Sequence, residues 1–175
     1  MHKIIIAGFG GQGILLMGQI LAYSAMTEGK EVSWMPSYGP EMRGGTANCA
    51  VIISEGMVAS PVISRPNVLV IMNKPSLYKF IDRVEEGGTV FVNSSLVDVK
   101  VERQDVKVVY VPANEAAHEL GTEKAANIYM MGALSKVRGV ISPESAHRGI
   151  EYGFSAKPKL IDLNKKIFDT AFERF

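Results

Sequence analysis

The chain has 175 residues, with 19 Lys and Arg against 18 Asp and Glu for a formal net charge of +1. It has the size of one ordinary domain, and it has neither the bulk positive charge of a nucleic-acid binder nor an acidic solvating tail. Apolar residues make up 47% and charged residues 21%, a globular composition whose low net charge gives a free monomer little colloidal protection, so burial against other subunits, or against its own copies when isolated, is expected.

Residues 1–175 read as one unit without repeat, low-complexity tract or linker. Residues 3–8 are a short, β-branched apolar run, the pattern of a strand buried on both faces. A glycine cluster follows at 8–13, then a helix over 14–28 in which Ile14, Met17, Gly18, Leu21, Ala22 and Ala25 share one stripe. Residues 31–35 form a second strand halted by Pro36, and 37–45 is a loop. Residues 46–53 and 57–59 then read as two strands of a hairpin joined at Ser54-Glu55-Gly56. Further strands are expected at 68–72, 89–93 and 106–111, with a helix at 76–86 capped by Ser76. Helices at 113–120, 123–138, 143–152 and 159–173 fill the rest, the third opened by Ser142 as cap and Pro143 in the first turn. The expected fold is therefore α/β: a Rossmann-like, mostly parallel sheet with helices on both faces, an inserted β-hairpin and a helical C-terminal third.

The single cysteine, Cys49, excludes a disulfide framework within the chain and a zinc or iron–sulfur site ligated by this chain's cysteines alone. Its ordinary role is that of a small buried hydrophobe. His2, His118 and His147 show no metal-ligand spacing. No run approaches about 20 apolar residues, and the apolar run after Lys3 is too short for a signal-peptide core, so a cytoplasmic location without membrane contact is expected.

Gly8-Phe9-Gly10-Gly11-Gln12-Gly13 follows a strand and opens a helix, the context in which a G-x-G-x-x-G pattern acquires meaning. Glycines there bring backbone N–H groups close to an anion, and the helix N-terminus adds partial positive charge. The same glycines also serve a tight turn that packs helix on sheet. A dinucleotide site needs an acid at the carboxyl end of the second strand; that end is Met35-Pro36-Ser37, and Glu31 starts the strand instead. The loop also lacks the Lys-Ser/Thr ending of an NTP-binding loop, so NAD and ATP are both disfavoured.

The segment from Ser37 to Asn48 should leave the second strand at the sheet edge that carries the glycine loop, so that both line one crevice. Arg43, beside Gly44 and Gly45, offers a guanidinium fork suited to phosphate or carboxylate, or a structural pairing with Glu41. Asn127, in an apolar helix, is either a satisfied core polar group or a side chain reaching the crevice. Lys74 and Asn93-Ser94-Ser95 stand at the same edge, where turn chemistry explains the latter equally well.

Together, Gly8-Phe9-Gly10-Gly11-Gln12-Gly13 and Pro36-Ser37-Tyr38-Gly39-Pro40-Glu41-Met42-Arg43-Gly44-Gly45-Thr46-Ala47-Asn48-Cys49, with Ala126-Asn127-Ile128-Tyr129-Met130-Met131-Gly132-Ala133, resemble the gamma subunit of 2-oxoacid:ferredoxin oxidoreductases. The second motif resembles the 2-oxoglutarate and 2-oxoisovalerate enzymes more than the pyruvate enzyme. The resemblance implies oxidative decarboxylation of a 2-oxoacid with coenzyme A to acyl-CoA and CO2, with ferredoxin as electron acceptor. It implies alpha, beta and ferredoxin-like delta partner subunits, which hold thiamine diphosphate, magnesium and the iron–sulfur clusters. This chain has no Gly-Asp-Gly…Asn motif and no evident acid, base and nucleophile set, so it is expected to be non-catalytic alone and to hold no cofactor of its own. Its expected contribution is to a shared coenzyme A site through Gly8, Gly10, Gly11, Gln12, Gly13, Ser37 and Arg43. The alternatives are the small subunit of indolepyruvate oxidoreductase and a free-standing nucleotide-binding module.

Overall fold

The computed structural model describes residues 1–37 and 46–175. Its elements in chain order are β1 (His2–Phe9), α1 (Ile14–Thr27), β2 (Glu31–Ser37), β3 (Thr46–Ser54), β4 (Val68–Ile71), α2 (Lys74–Phe80), β5 (Thr89–Asn93) and β6 (Lys107–Val111), followed by α3 (Ala113–Glu119), α4 (Ala126–Arg138), α5 (Pro143–Gly153) and α6 (Ile161–Arg174). The strands form one sheet in the order β2-β3-β1-β4-β5-β6. β1, β4, β5 and β6 pair in parallel, whereas β3 is antiparallel to both β1 and β2. The mostly parallel sheet and the all-helical C-terminal third agree with the sequence pattern.

Alternation of side chains along the strands splits the interior into two layers. Ile4, Ile6, Cys49, Val51, Val68, Val70 and Phe91 face the layer built with α1, α4, α5 and α6, where Tyr129 and Phe168 are fully buried. Ile5, Ala7, Ile52, Leu69, Ile71, Val90 and Val92 face the other layer, closed by Leu77 and Phe80 of α2. Helices thus cover both faces unevenly. Close approach makes the thicker layer: a Cβ on Gly18 would stand 2.5 Å from Cys49 Sγ, and one on Gly132 would stand 2.5 Å from the Phe168 carbonyl. Cys49 is fully buried, and that burial pushes its thiol up to about 12, with the nearby Trp34 indole pulling the other way.

Two expectations are corrected. The antiparallel partner of 46–53 is not 57–59, which is not a strand; it is β2, extended through Pro36 to Ser37. Proline ends an interior strand but is accommodated in an edge strand, where its missing N–H breaks no ladder, and β2 is at the sheet edge. The second helix opens at Lys74, with Asn73 rather than Ser76 as its cap: the Ser76 N–H donates to Asn73 Oδ1 at 2.9 Å. It ends at Phe80 and passes into a 3-10 turn, Ile81–Arg83. Ser142 caps α5 as expected, accepting from the Ser145 N–H.

No helix among the described residues is long and apolar enough to cross a membrane.

Candidate functional site

The glycine loop joins β1 to α1 at the carboxyl edge of the sheet. Gly8 is buried, and a Cβ there would stand 2.5 Å from Gln12 Oε1 and 2.8 Å from both Ile14 Cδ1 and Met72 Cβ. Only hydrogen fits. Gly13 precedes the helix with φ of 71°, in the left-handed region that glycine enters at little cost. No side chain caps α1, and its first turn has no acidic residue, so N–H groups at this terminus stay available to an outside acceptor. Met17 N–H donates to the Gly13 carbonyl, and Asn127 Nδ2 donates to the same oxygen at 3.1 Å. Asn127 is therefore the satisfied core polar group, seated beneath the loop.

Gln12 braces the loop. Its Oε1 accepts from the Phe9 N–H at 2.6 Å and its Nε2 donates to the Met72 carbonyl at 3.0 Å, while the Met72 N–H donates to the Ala7 carbonyl at 2.8 Å. The side-chain amide is spent within the protein, tying the end of β1 to the end of β4. The Gln12 backbone N–H is spent as well, donating to the Phe9 carbonyl at 3.2 Å.

β1 and β4 are parallel neighbours whose following helices pack on opposite faces: α1 residues belong to one core layer and α2 residues to the other. That divergence opens a crevice at the carboxyl ends of strands, the place where open α/β sheets bind ligands. A cleft of about 330 Å³ occurs here, lined by Gly11, Gln12, Met72, Asn114, Glu123, Lys124 and Ala126. Asn114 is held in place: its Oδ1 accepts from Asn93 Nδ2 at 2.7 Å, and Ser95 Oγ accepts from the Asn114 N–H. Lys124 forms no ion pair among the described residues, and its backbone N–H donates to Thr122 Oγ1 in a short turn.

Of the residues singled out in the sequence, Gly8, Gly10, Gly11, Gln12 and Gly13 come together around the start of α1. Gly11 and Gln12 line the cleft, whereas Gly8 is buried below it. Ser37 reaches the same sheet edge, in register with Asn48, which pairs with Ala7. It stands two strands from β1, about 10 Å away, and lines a different hollow with Met35, Pro36, Asn48 and Ala50. Arg43 lies outside the described residues. Glu31 pairs with Ser54 at the opposite end of the sheet, far from where a ribose-binding acid belongs. Among the described residues no group of three or more His, Cys, Asp or Glu is placed to hold a metal ion. The sequence reading missed Asn114, Glu123 and Lys124. Lys124 was hidden in a helix expected from 123; α4 starts at Ala126, which leaves Lys124 in the connection facing the cleft.

The family model described as pyruvate ferredoxin/flavodoxin oxidoreductase matches residues 3–174. Ketoisovalerate oxidoreductase subunit VorA of Methanothermobacter marburgensis is 44% identical over 169 residues, which cover 95% of this chain and 35% of VorA. The chain thus spans about a third of that relative. 2-Oxoglutarate synthase subunit KorC of Methanocaldococcus jannaschii is 37% identical over 151 residues, 85% of this chain and 81% of KorC. The crystal structure of the keto/oxoacid ferredoxin oxidoreductase gamma subunit from Geobacter sulfurreducens superposes with a TM-score of 0.84 at 33% identity, covering 99% of this chain and 98% of that one. The motif resemblance, the fold and these relatives agree: the chain belongs to the pyruvate ferredoxin/flavodoxin oxidoreductase family.

Proposed function

We propose that this chain is the gamma subunit of a cytoplasmic 2-oxoacid:ferredoxin oxidoreductase acting on 2-oxoisovalerate or 2-oxoglutarate. Two of the relatives, the VorA and KorC subunits, are named for ketoisovalerate and 2-oxoglutarate. The assembled enzyme cleaves the bond between the carboxylate and the oxo carbon, releases CO2, transfers the acyl group to coenzyme A and passes the electrons to ferredoxin. Thiamine diphosphate, magnesium and the iron–sulfur clusters belong to alpha, beta and ferredoxin-like delta partners. Cys49 is buried with its thiol pushed up to about 12, which makes it a poor ligand for an iron–sulfur cluster.

The contribution of this chain is to bind and orient coenzyme A. One observation supports that reading: Gly11 and Gln12, just before the uncapped start of α1, line the cleft at the sheet's carboxyl edge. Amides and helix dipole together receive negative charge without reorganising. Arg43, which lies outside the described residues, and Ser37, at the same sheet edge, are assigned supporting contacts to coenzyme A.

Reconstitution with the partner chains tests this. The complex should reduce ferredoxin only when a branched or dicarboxylic 2-oxoacid and coenzyme A are both supplied. Arg43→Ala should raise the KM for coenzyme A about tenfold while that for the oxoacid stays put, the loss expected for one charge-assisted contact. Unchanged KM values would remove Arg43 from the site. Micromolar binding of NAD(H) to the isolated chain, seen by calorimetry, would overturn the subunit reading in favour of a nucleotide-binding module.

A further inference from the structure

β2 is the outer strand of the sheet, and no strand among the described residues pairs with its far side. Which backbone groups it leaves open follows from the ladder. The Lys3 and Ala7 carbonyls accept from the Asn67 and Met72 N–H groups on the β4 side, so by alternation Ile4 and Ile6 face β3. Cys49, the partner of Ile6, faces back toward β1, and Pro36, the other partner of Cys49, faces outward. By the same alternation Val32 and Trp34 face outward too. The edge therefore presents N–H donors on Val32 and Trp34 and carbonyls on Val32, Trp34 and Pro36.

Soluble proteins blunt such an edge with charge or cover it. In β2 the only charged residue is Glu31, at its start. Both faces beside the edge are uncharged as well. α1, which packs over β2 and β3, has no charged residue from Ile14 to Thr27, and its Met26 is 61% exposed. On the other face Met35 is 39% exposed beside the hollow that it lines with Ala50 and Val62.

We infer that the strand covering this edge is β2 of a second copy, paired antiparallel about a two-fold axis at Trp34, so that two six-stranded sheets join into one. Hydrogen bonding needs outward residues opposite one another, which allows an axis at Ser33 or at Trp34 and excludes one between them. The Trp34 axis pairs the strands over their whole length, with Glu31 opposite Ser37, Val32 opposite Pro36 and Ser33 opposite Met35. Each Trp34 exchanges N–H···O=C bonds with its mate, and each Val32 N–H donates to a Pro36 carbonyl. Both free donors are used. Charge selects the same occupant. The two Glu31 residues end about 20 Å apart. Each arrives opposite Ser37, at the mouth of the hollow whose sole charged lining residue is Arg83, which forms no ion pair among the described residues. The two α1 helices lie on one side of the joined sheet, uncharged flank toward uncharged flank.

Sedimentation and hydrogen exchange of the full chain test this. The wild type should sediment as a dimer of 19.0 kDa subunits with the Val32 and Trp34 amides protected. Ser33→Lys places like charges diagonally across the axis, and should give a monomer in which those two amides exchange freely. Ser33→Cys and Met35→Cys chains, co-expressed and oxidised, should crosslink to each other, because opposed Cα atoms at such a non-hydrogen-bonded pair stand about 4.5 Å apart. Neither chain should crosslink to itself. The crosslink decides the matter if Ser33→Lys does not fold. A monomeric wild type overturns the proposal, and so does a dimer indifferent to Ser33→Lys or one whose mixed cysteine pair stays unlinked. Protection of Val32 and Trp34 that appears only when alpha or beta chains are added gives the edge to another partner and overturns it too.

Discussion

Asn127 sits directly under Gly13: its Nδ2 donates to the Gly13 carbonyl at 3.1 Å, and a Cβ on Gly13 would stand 2.3 Å from that same nitrogen. One contact links the buried α4 to the mouth of the proposed site and shuts out every side chain at position 13. Asn127→Ala should cost about 1–2 kcal/mol in urea unfolding, the usual worth of a lost buried hydrogen bond. Gly13→Ala should cost more, because about 1–2 kcal/mol of left-handed backbone strain adds to the collision. Equal stabilities for wild type and Gly13→Ala would show that α4 does not press on the loop.

The Gln12 brace makes a different demand. Gln12→Ala removes the acceptor of the Phe9 N–H and the donor to the Met72 carbonyl, so native-state hydrogen exchange at the Phe9 amide should accelerate and stability fall by about 1–3 kcal/mol. If Gln12 bound only ligand, its loss would move the KM for coenzyme A and leave that amide protected.

Glu28 links the end of α1 to the start of α5. Burial favours its neutral form, but hydrogen bonds from Lys30, the Ser142 N–H and the Ser145 hydroxyl outweigh that and hold the carboxyl at about 2. Its folded pKa is depressed, so its stabilisation is fully present above about 4.5 and is lost as pH falls toward 2. Glu28→Gln should lower stability at pH 7 by about 1–2 kcal/mol after screening by solvent, and the gap to wild type should close at pH 3 and below. A gap independent of pH would contradict this.

His2 acts over a higher window. Burial, reinforced by the charges of Arg138, the amino terminus and Lys30 against a weaker pull from Glu55, lowers its pKa to about 4. Its Nδ1 is buried without a hydrogen-bond partner among the described residues. Between about 4 and 6.5 the unfolded chain therefore holds more protons at this position than the folded one, and stability rises with pH across that range. Thermal midpoints of wild type and His2→Gln should converge as pH falls from 7 to 4.5 if glutamine merely loses packing, because only the wild type pays the cost of protonation. Parallel curves would place His2 in an ordinary aqueous setting.

The alternating β-branched runs and the glycine cluster made most of this sheet and its ligand edge legible in the sequence, because burial on two faces and a tight strand-to-helix turn each demand a distinctive pattern. The β2–β3 pair was misread because Pro36 signals a strand end unless the strand lies at an edge, and edge position is a property of the assembled sheet. Asn73 and Ser76 are both good caps, and only the backbone angles choose between them. Gln12 shows the sharper limit. Its residue type and place suit a ligand contact, yet its amide turns inward to Met72, 60 residues away in sequence, and joins the ends of two strands. Lys124 was obscured by helix-forming neighbours, and its place beside the cleft depends on where α4 begins.

The most direct test of the central claim is a crystal or cryo-EM structure of the assembled complex with coenzyme A bound. The account predicts diphosphate oxygens within about 2.7–3.2 Å of backbone nitrogens in the Gly10 to Ile14 turn. Coenzyme A held wholly by other subunits, with that turn packed against protein, would contradict it.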